Sequence, residues 1–158
     1  MSIDKIDLKI LDLLQTESKM PISEIANKVG LSLSPCWRRL NHLEKSGFIK
    51  EYVAKVDRTK LGLDIVVFAT IKLENNSEES LEIFESTIQN FDEIIECYVL
   101  LGNVDYILKI VTRNLRSYET FLRKKLSKIS IIQEIDSRVG LSEVKRISKL
   151  PLNLVDID

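Results

Sequence analysis

This sequence predicts an α+β chain in two parts, on the strength of three observations. Three short helical patterns fill residues 4–46, punctuated by Pro21 and Gly30 and stopped by Gly47. From residue 63 the periodicity changes to a β-α-β-β-α-β order. Charge divides at nearly the same place: residues 34–60 hold seven basic and three acidic side chains, whereas residues 61–158 hold twelve and sixteen, in a chain of net charge −1. A basic segment inside a nearly neutral chain points to nucleic acid or another anionic surface. The expected organisation is a winged helix-turn-helix at residues 1–56, a linker at 57–62, and a ferredoxin-like βαββαβ effector and assembly domain at 63–158.

Each element has its own warrant. In "DKIDLKILDLLQTE" (4–17), Ile6, Ile10, Leu13 and Leu14 recur at helical spacing, and Asp4 and Asp7 suit the positive end of a helix dipole. "PISEIANKV" opens on Pro21 and ends at Gly30, the expected asymmetry for a short second helix. Ser34 can cap a third helix with Pro35 at its first position, running to about Ser46. Two short helices across a tight Gly-containing turn form a helix-turn-helix. "FIKEYVAKVD" (48–57) alternates enough to be a strand where a wing would follow.

"LDIVVFATIKLE" (63–74) is β-branched and aromatic, hence a strand; "SEESLEIFESTIQNF" (77–91) aligns Leu81, Phe84 and Ile88 behind a Ser77 cap. "IIECYVLL" and "YILKIVTR" flank "GNVD" as a hairpin. "RSYETFLRKKLSKI" aligns Tyr118, Leu122 and Leu126 on a second helix, and "IIQEIDSRVGLSEVKR" returns as a strand. Strands 63–74 and 94–101 are apolar on both faces, so a partner should cover the sheet face that the helices leave open. The tail "LPLNLVDID" is expected to pack loosely.

On the third helix, Cys36, Leu40 and Leu43 fall on one stripe, and Arg38 and Lys45 lie opposite. Cys36 therefore reads as a small buried hydrophobe and not as a redox thiol. The polar face gathers Ser34, Arg38, Asn41 and His42, with Trp37 and Arg39 at its edges. A hydroxyl, a guanidinium fork and amide or imidazole groups on the second helix of a helix-turn-helix suit major-groove readout of double-stranded DNA.

No CxxC, HxxxH or HExxH spacing offers metal ligands, and His42 has no nucleophile beside it. No catalytic residue, metal or cofactor is therefore assigned, and an enzyme is not expected. Cys36 and Cys97 suit a reducing compartment, residues 1–10 show no secretory pattern, and the run "IVVFATI" is far short of the ~20 residues of a membrane span. A soluble, cytoplasmic, nucleoid-associated protein is expected. "LLGNVDYILKI" reads either as a plain hairpin or as a small polar pocket. In the second case Gly102 admits close backbone approach, Asp105 pairs with an ammonium, and Tyr106 and Arg138 add contacts, which suits an amino acid.

With those residues in view, the chain resembles the Lrp/AsnC family of leucine- and asparagine-responsive transcription regulators. The resemblance rests on "IDLKILDLLQ", "ISEIANKVGLS", "SPCWRRLNHLEKSGFI", "ECYVLLGNVDYILK" and "SEVKR", and covers nearly the whole chain. It implies DNA contacts from Ser34, Arg38 and Arg39, with Arg39 on the phosphate backbone; Trp37, Asn41 and His42 complete the expected DNA-binding set from the helix face itself. It also implies an amino-acid effector between dimers, held by Gly102, Asn103, Asp105 and Tyr106 of one subunit and Ser137, Arg138, Val139 and Gly140 of a neighbour. Dimers assembling into an octamer or similar ring are part of the same implication. Two positions depart from the family pattern: Asn103 stands where an Asp is common, and Arg138 where an uncharged residue is common. The competing reading is an architectural DNA-binding protein of the same fold that senses nothing.

Overall fold

The computed structural model describes residues 3–157, and the chain divides into two compact units. One holds the chain up to Lys55 together with the segment from Lys145 onward; the other spans Val56–Val144.

The first unit is built on three helices. Helix α1 (Lys5–Thr16) starts at Asp4, which accepts hydrogen bonds from the Ile6 and Asp7 amides while Asp7 accepts one from the Asp4 amide, a complete capping box. Helix α2 (Ile22–Val29) runs from Pro21 to Gly30, whose φ of 74° is the left-handed conformation that lets the chain turn sharply into the next helix. Helix α3 spans Leu33–Lys45. Ile10, Leu14, Met20, Ile25, Ala26, Cys36 and Leu43 form the core between them.

Three expectations are corrected in this unit. The cap residue of α3 is Ser32 and not Ser34, and no side chain closes that end. Pro35 therefore sits third in the helix, which is permissible because the first-turn amides have no intrahelical acceptor to lose. Residues 48–57 form no strand, although Tyr52 ties the segment back to α3 by donating its hydroxyl to Glu44 at 2.9 Å. The tail packs loosely as expected, with Ile147, Leu150 and Leu154 largely exposed, but its place is not in the second domain. Instead it belongs to the first unit: the Gln15 amide pairs with both the N–H (2.7 Å) and C=O (3.3 Å) of Leu150, and Lys149 reaches Asp12 at 2.8 Å.

The second unit is the βαββαβ sandwich: β1 (Ile65–Leu73), α4 (Glu78–Ile88), β2 (Ile94–Val99), β3 (Tyr106–Thr112), α5 (Leu115–Lys124) with a 3₁₀ turn at Leu126–Lys128, and β4 (Ile132–Gly140). The sheet order is β2-β3-β1-β4, with every neighbouring pair antiparallel. Ser77 and Asn114 cap α4 and α5 through their side-chain oxygens. Alternation decides the faces. Val67, Ala69, Ile71 and Leu73 of β1 and Tyr106, Leu108 and Ile110 of β3 are buried against Phe84, Ile88, Tyr118 and Phe121 of the helices. Their neighbours point the other way. Phe68 and Tyr98 are 41% and 59% exposed on that open face, where Lys109 pairs with Glu96 at 2.7 Å.

Candidate functional site

The face of α3 follows from its burial. Cys36 and Leu43 have no exposed surface, so the helix is anchored along one stripe and its opposite side is free. Ser34, Trp37, Arg38 and Lys45 are exposed there, Trp37 by 58%. An exposed Trp beside an exposed Arg gives an apolar surface for a base or sugar and a fork for phosphate or guanine. Burial pushes the Cys36 thiol above its ordinary range, in keeping with a packing role.

Three members of the expected DNA set are half-buried and meet neighbours within the protein. Asn41 is half-buried and donates its amide to the Trp37 carbonyl at 3.0 Å. His42 is half-buried too: Nδ1 lies 3.3 Å from the Ser46 hydroxyl, and Nε2 is enclosed without a partner among the described residues. Arg39, at the edge of the free face, is half-buried and reaches toward α1. Its NH1 nitrogen meets Asp4 Oδ2 at 2.7 Å and Asp7 Oδ1 at 2.8 Å, which ties α3 to α1 while the side chain stays 31% exposed. The two acids raise the Arg39 pKa, Asp7 more than Asp4, while the Asp4 carboxyl is lowered chiefly by the Asp7 amide and then by Arg39.

The residues expected around an effector are spread over the β2–β3 connection, the start of β3 and the end of β4. Gly102 and Asn103 lie in the six-residue connection between β2 and β3, with Gly102 at φ 151°. Asp105 accepts the Leu73 amide at 2.7 Å through Oδ2, stitching the start of β3 to the end of β1. Tyr106 faces the helical layer. Packed on Phe84 with ring centroids 4.5 Å apart, it donates its hydroxyl to Glu85 at 2.9 Å, and burial with that carboxylate drives its pKa upward. Ser137 is on the same side and shares a 2.5 Å hydrogen bond with the Tyr118 hydroxyl. Arg138 is on the open face, pairing with Asp136 at 2.6 Å; Val139 and Gly140 lie opposite Val67 and Val66 at the end of β4. A cleft of about 400 Å³ does exist beside α4, lined by Ile83, Phe91, Lys124, Lys125 and Lys128, but it contains none of these residues. Among the described residues no group of His, Cys, Asp and Glu is placed to hold a metal, and no helix is long and apolar enough to cross a membrane.

Sequence reasoning missed the Asp4–Arg39–Asp7 tie and the return of the tail to α1. The first had a signal: Arg39 falls at the edge of the apolar stripe, and two acids open α1.

A three-helix unit offering a free basic helix face, followed by a βαββαβ unit, defines a helix-turn-helix regulator with a separate ligand domain. Comparison with known proteins agrees. The winged helix-turn-helix DNA-binding family matches residues 3–50, and the Lrp/AsnC ligand binding domain matches residues 66–150. The glutamate uptake regulatory protein of Zymomonas mobilis is 35% identical over 150 residues, covering 95% of this chain and 91% of its own. An AsnC family transcriptional regulator from Agrobacterium tumefaciens superposes with a TM-score of 0.91 at 35% identity, over 96% of this chain and 98% of that one. A transcriptional regulator from Neisseria meningitidis, solved as a complex with L-Met, superposes with the same score at 30% identity and the same coverage. The chain belongs to the Lrp/AsnC family of transcriptional regulators.

Proposed function

We propose that this chain is a sequence-specific DNA-binding transcriptional regulator that responds to an amino acid bound between dimers. The observation that carries the DNA half is the exposed face of α3, with Ser34, Trp37 and Arg38 free in solvent above a sealed Cys36–Leu43 stripe. Arg38 is the principal contact, since it is the guanidinium of the pair that no carboxylate holds among the described residues. Asn41 and His42 serve the groove from its edge. Double-stranded DNA and further copies of the chain are the macromolecular partners. The open sheet face around Phe68 and Tyr98 forms the dimer, and dimers close into a ring. The cytoplasm, at the nucleoid, is where such a protein acts. The reading includes no catalytic step and no resident cofactor.

For the amino acid, support comes from the ligand-domain match and from the L-Met complex of the Neisseria relative. Asp105 is the ammonium partner through Oδ1, because Oδ2 is committed to the Leu73 amide. Backbone amides around Gly102 and Asn103 receive the carboxylate. Residues 137–140 of a neighbouring subunit close the site.

A melting screen with the twenty amino acids, read with and without operator DNA, tests both halves. One amino acid should raise the melting temperature by mass action, and Asp105→Ala should abolish that shift while leaving effector-free DNA binding intact. Arg38→Ala should cost ~1–3 kcal/mol on the operator if it reads a base, or lower the salt slope by about one if it meets phosphate. A ligand shift that survives Asp105→Ala would refute the placement. If no amino acid gives a shift, the chain is an architectural DNA-binding protein of the same fold.

A further inference from the structure

We infer that Arg39 is a positioning residue for operator recognition: its guanidinium, seated on the capping box of α1, fixes the roll of α3 and so aims Arg38 and Ser34. This rests on the DNA-binding reading above and deepens it.

Every carboxylate oxygen of the pair Asp4 and Asp7 has a hydrogen-bond donor. Asp4 Oδ1 accepts the amides of Ile6 (2.8 Å) and Asp7 (2.9 Å), and Asp7 Oδ2 accepts the amide of Asp4 (3.0 Å). The remaining oxygens, Asp4 Oδ2 and Asp7 Oδ1, both point at the one NH1 nitrogen of Arg39, at 2.7 and 2.8 Å. Asp7 is buried and Arg39 half-buried, so solvent screens the Arg39–Asp7 pair less than it does Arg39–Asp4, whose carboxylate is 46% exposed. The cap thus presents a preformed two-oxygen seat, and Arg39 occupies it.

That seat controls rotation. Neighbouring helix positions are about 100° apart, so the angular setting of Arg39 dictates that of Arg38. With side chains reaching roughly 5–6 Å from the axis, a roll of about 20° displaces their tips by about 2 Å, enough to break a hydrogen bond to a base edge. Cys36 and Leu43 resist translation of α3, but an apolar stripe is non-directional and holds rotation loosely. A charge-assisted bond to two fixed oxygens is directional.

The competing role, a phosphate contact by Arg39, makes the opposite prediction for the acids. If Arg39 served phosphate, neutralising Asp4 or Asp7 would release it and remove a negative charge, and DNA would bind more tightly. If Arg39 positions α3, the same changes weaken operator binding. The experiment uses the full chain, the duplex it selects from a random-sequence pool, and a scrambled duplex of equal length. Asp4→Asn keeps a good cap residue while removing the charge, so the fold is retained even if Asp7→Asn or Arg39→Ala lowers stability. All assays are run well below each variant's melting transition.

Arg39→Ala should lose about 10- to 100-fold on the selected duplex while scrambled-duplex affinity and the salt slope stay at parent values. Asp4→Asn and Asp7→Asn should lose affinity in the same selective way, and Arg39→Ala/Asp7→Asn should be no worse than Arg39→Ala, as for members of one unit. Tighter binding by either Asn variant overturns the proposal. So does an equal loss on both duplexes with a salt slope lower by about one, and so does unchanged discrimination in all variants. A parent chain that selects no sequence would strike the regulator reading itself, and the proposal would fall with it.

Discussion

Replacing Leu43 by alanine should destabilise the first unit by ~3 kcal/mol and remove DNA binding only where that unit has melted. Leu43 has no exposed surface and packs in a small core with Ile10, Ile25 and Cys36. Three carbons are lost, at ~0.8 kcal/mol for each buried methylene, and the cavity adds to this, giving about 3 within the usual 2–5 kcal/mol range. Alanine returns only a few tenths through its helix propensity. A unit of roughly 70 residues holds on the order of 3–10 kcal/mol in total, so this is a large share. At about 4–8 °C per kcal/mol for a domain this size, the transition should fall by about 12–24 °C. Scanning calorimetry on the variant, with Leu108→Ala as the matched change in the second unit, separates the two cores. Operator binding measured below and above the lowered transition completes the assay. A cost under about 1 kcal/mol would refute the packing argument, since it would mean the site collapses without loss. Binding already lost well below the transition would refute the inference that Leu43 acts through packing alone.

On the open sheet face, Phe68→Glu should convert the proposed dimer to monomers in sedimentation, because an unpaired charge would sit on the surface that the proposal buries. The pH dependence of the first unit runs in two directions. The Asp4 carboxyl is depressed, so its contribution is present above about pH 4 and lost as pH falls through its folded value. The melting gap between parent and Asp4→Asn should therefore close in acid. The Tyr52 hydroxyl is pushed up to about 12, so its contribution holds below its ordinary value of 10.0 and fades as pH rises from there to about 12, and the gap to Tyr52→Phe should close in alkali. Cys36 is sealed and its thiol raised, so alkylation at neutral pH should require opening of the first unit and follow its hydrogen-exchange rate.

Most of the architecture was legible because it is written in local chemistry. Pro21 and Gly30 bracket α2 as their backbone preferences require, Ser77 caps α4 through its hydroxyl, and alternation in β1 and β3 names the buried face. Where an element depends on a distant partner, local pattern misleads. "FIKEYVAKVD" alternates like a strand, but a strand needs a neighbouring ladder, and residues 48–57 have none. The tail was misplaced for the same reason: only the fold brings Gln15 within reach of Leu150. For the residues expected around an effector, pattern and family resemblance point to the β2–β3 connection and β4, but neither shows that Tyr106 and Ser137 turn to the helices, where Glu85 and Tyr118 meet their hydroxyls.

Arg38 and Arg39 carry this distinction to its limit. They are the same residue type at adjacent positions, and composition, charge and motif treat them alike. Their roles separate through one helical step. Arg38 falls opposite Cys36 and remains in solvent, with a guanidinium free to meet DNA. Arg39 falls beside the apolar stripe, where leaving a guanidinium unpaired would incur a desolvation penalty, and the two carboxylates that relieve it already form the cap of α1. The Arg39 charge is countered within the protein by two carboxylates, so the net field α3 offers to its surroundings is lower than a count of its arginines suggests. A polar face should therefore be read after its counter-charges have been located. In this chain those counter-charges lie more than thirty residues upstream, at the start of another helix.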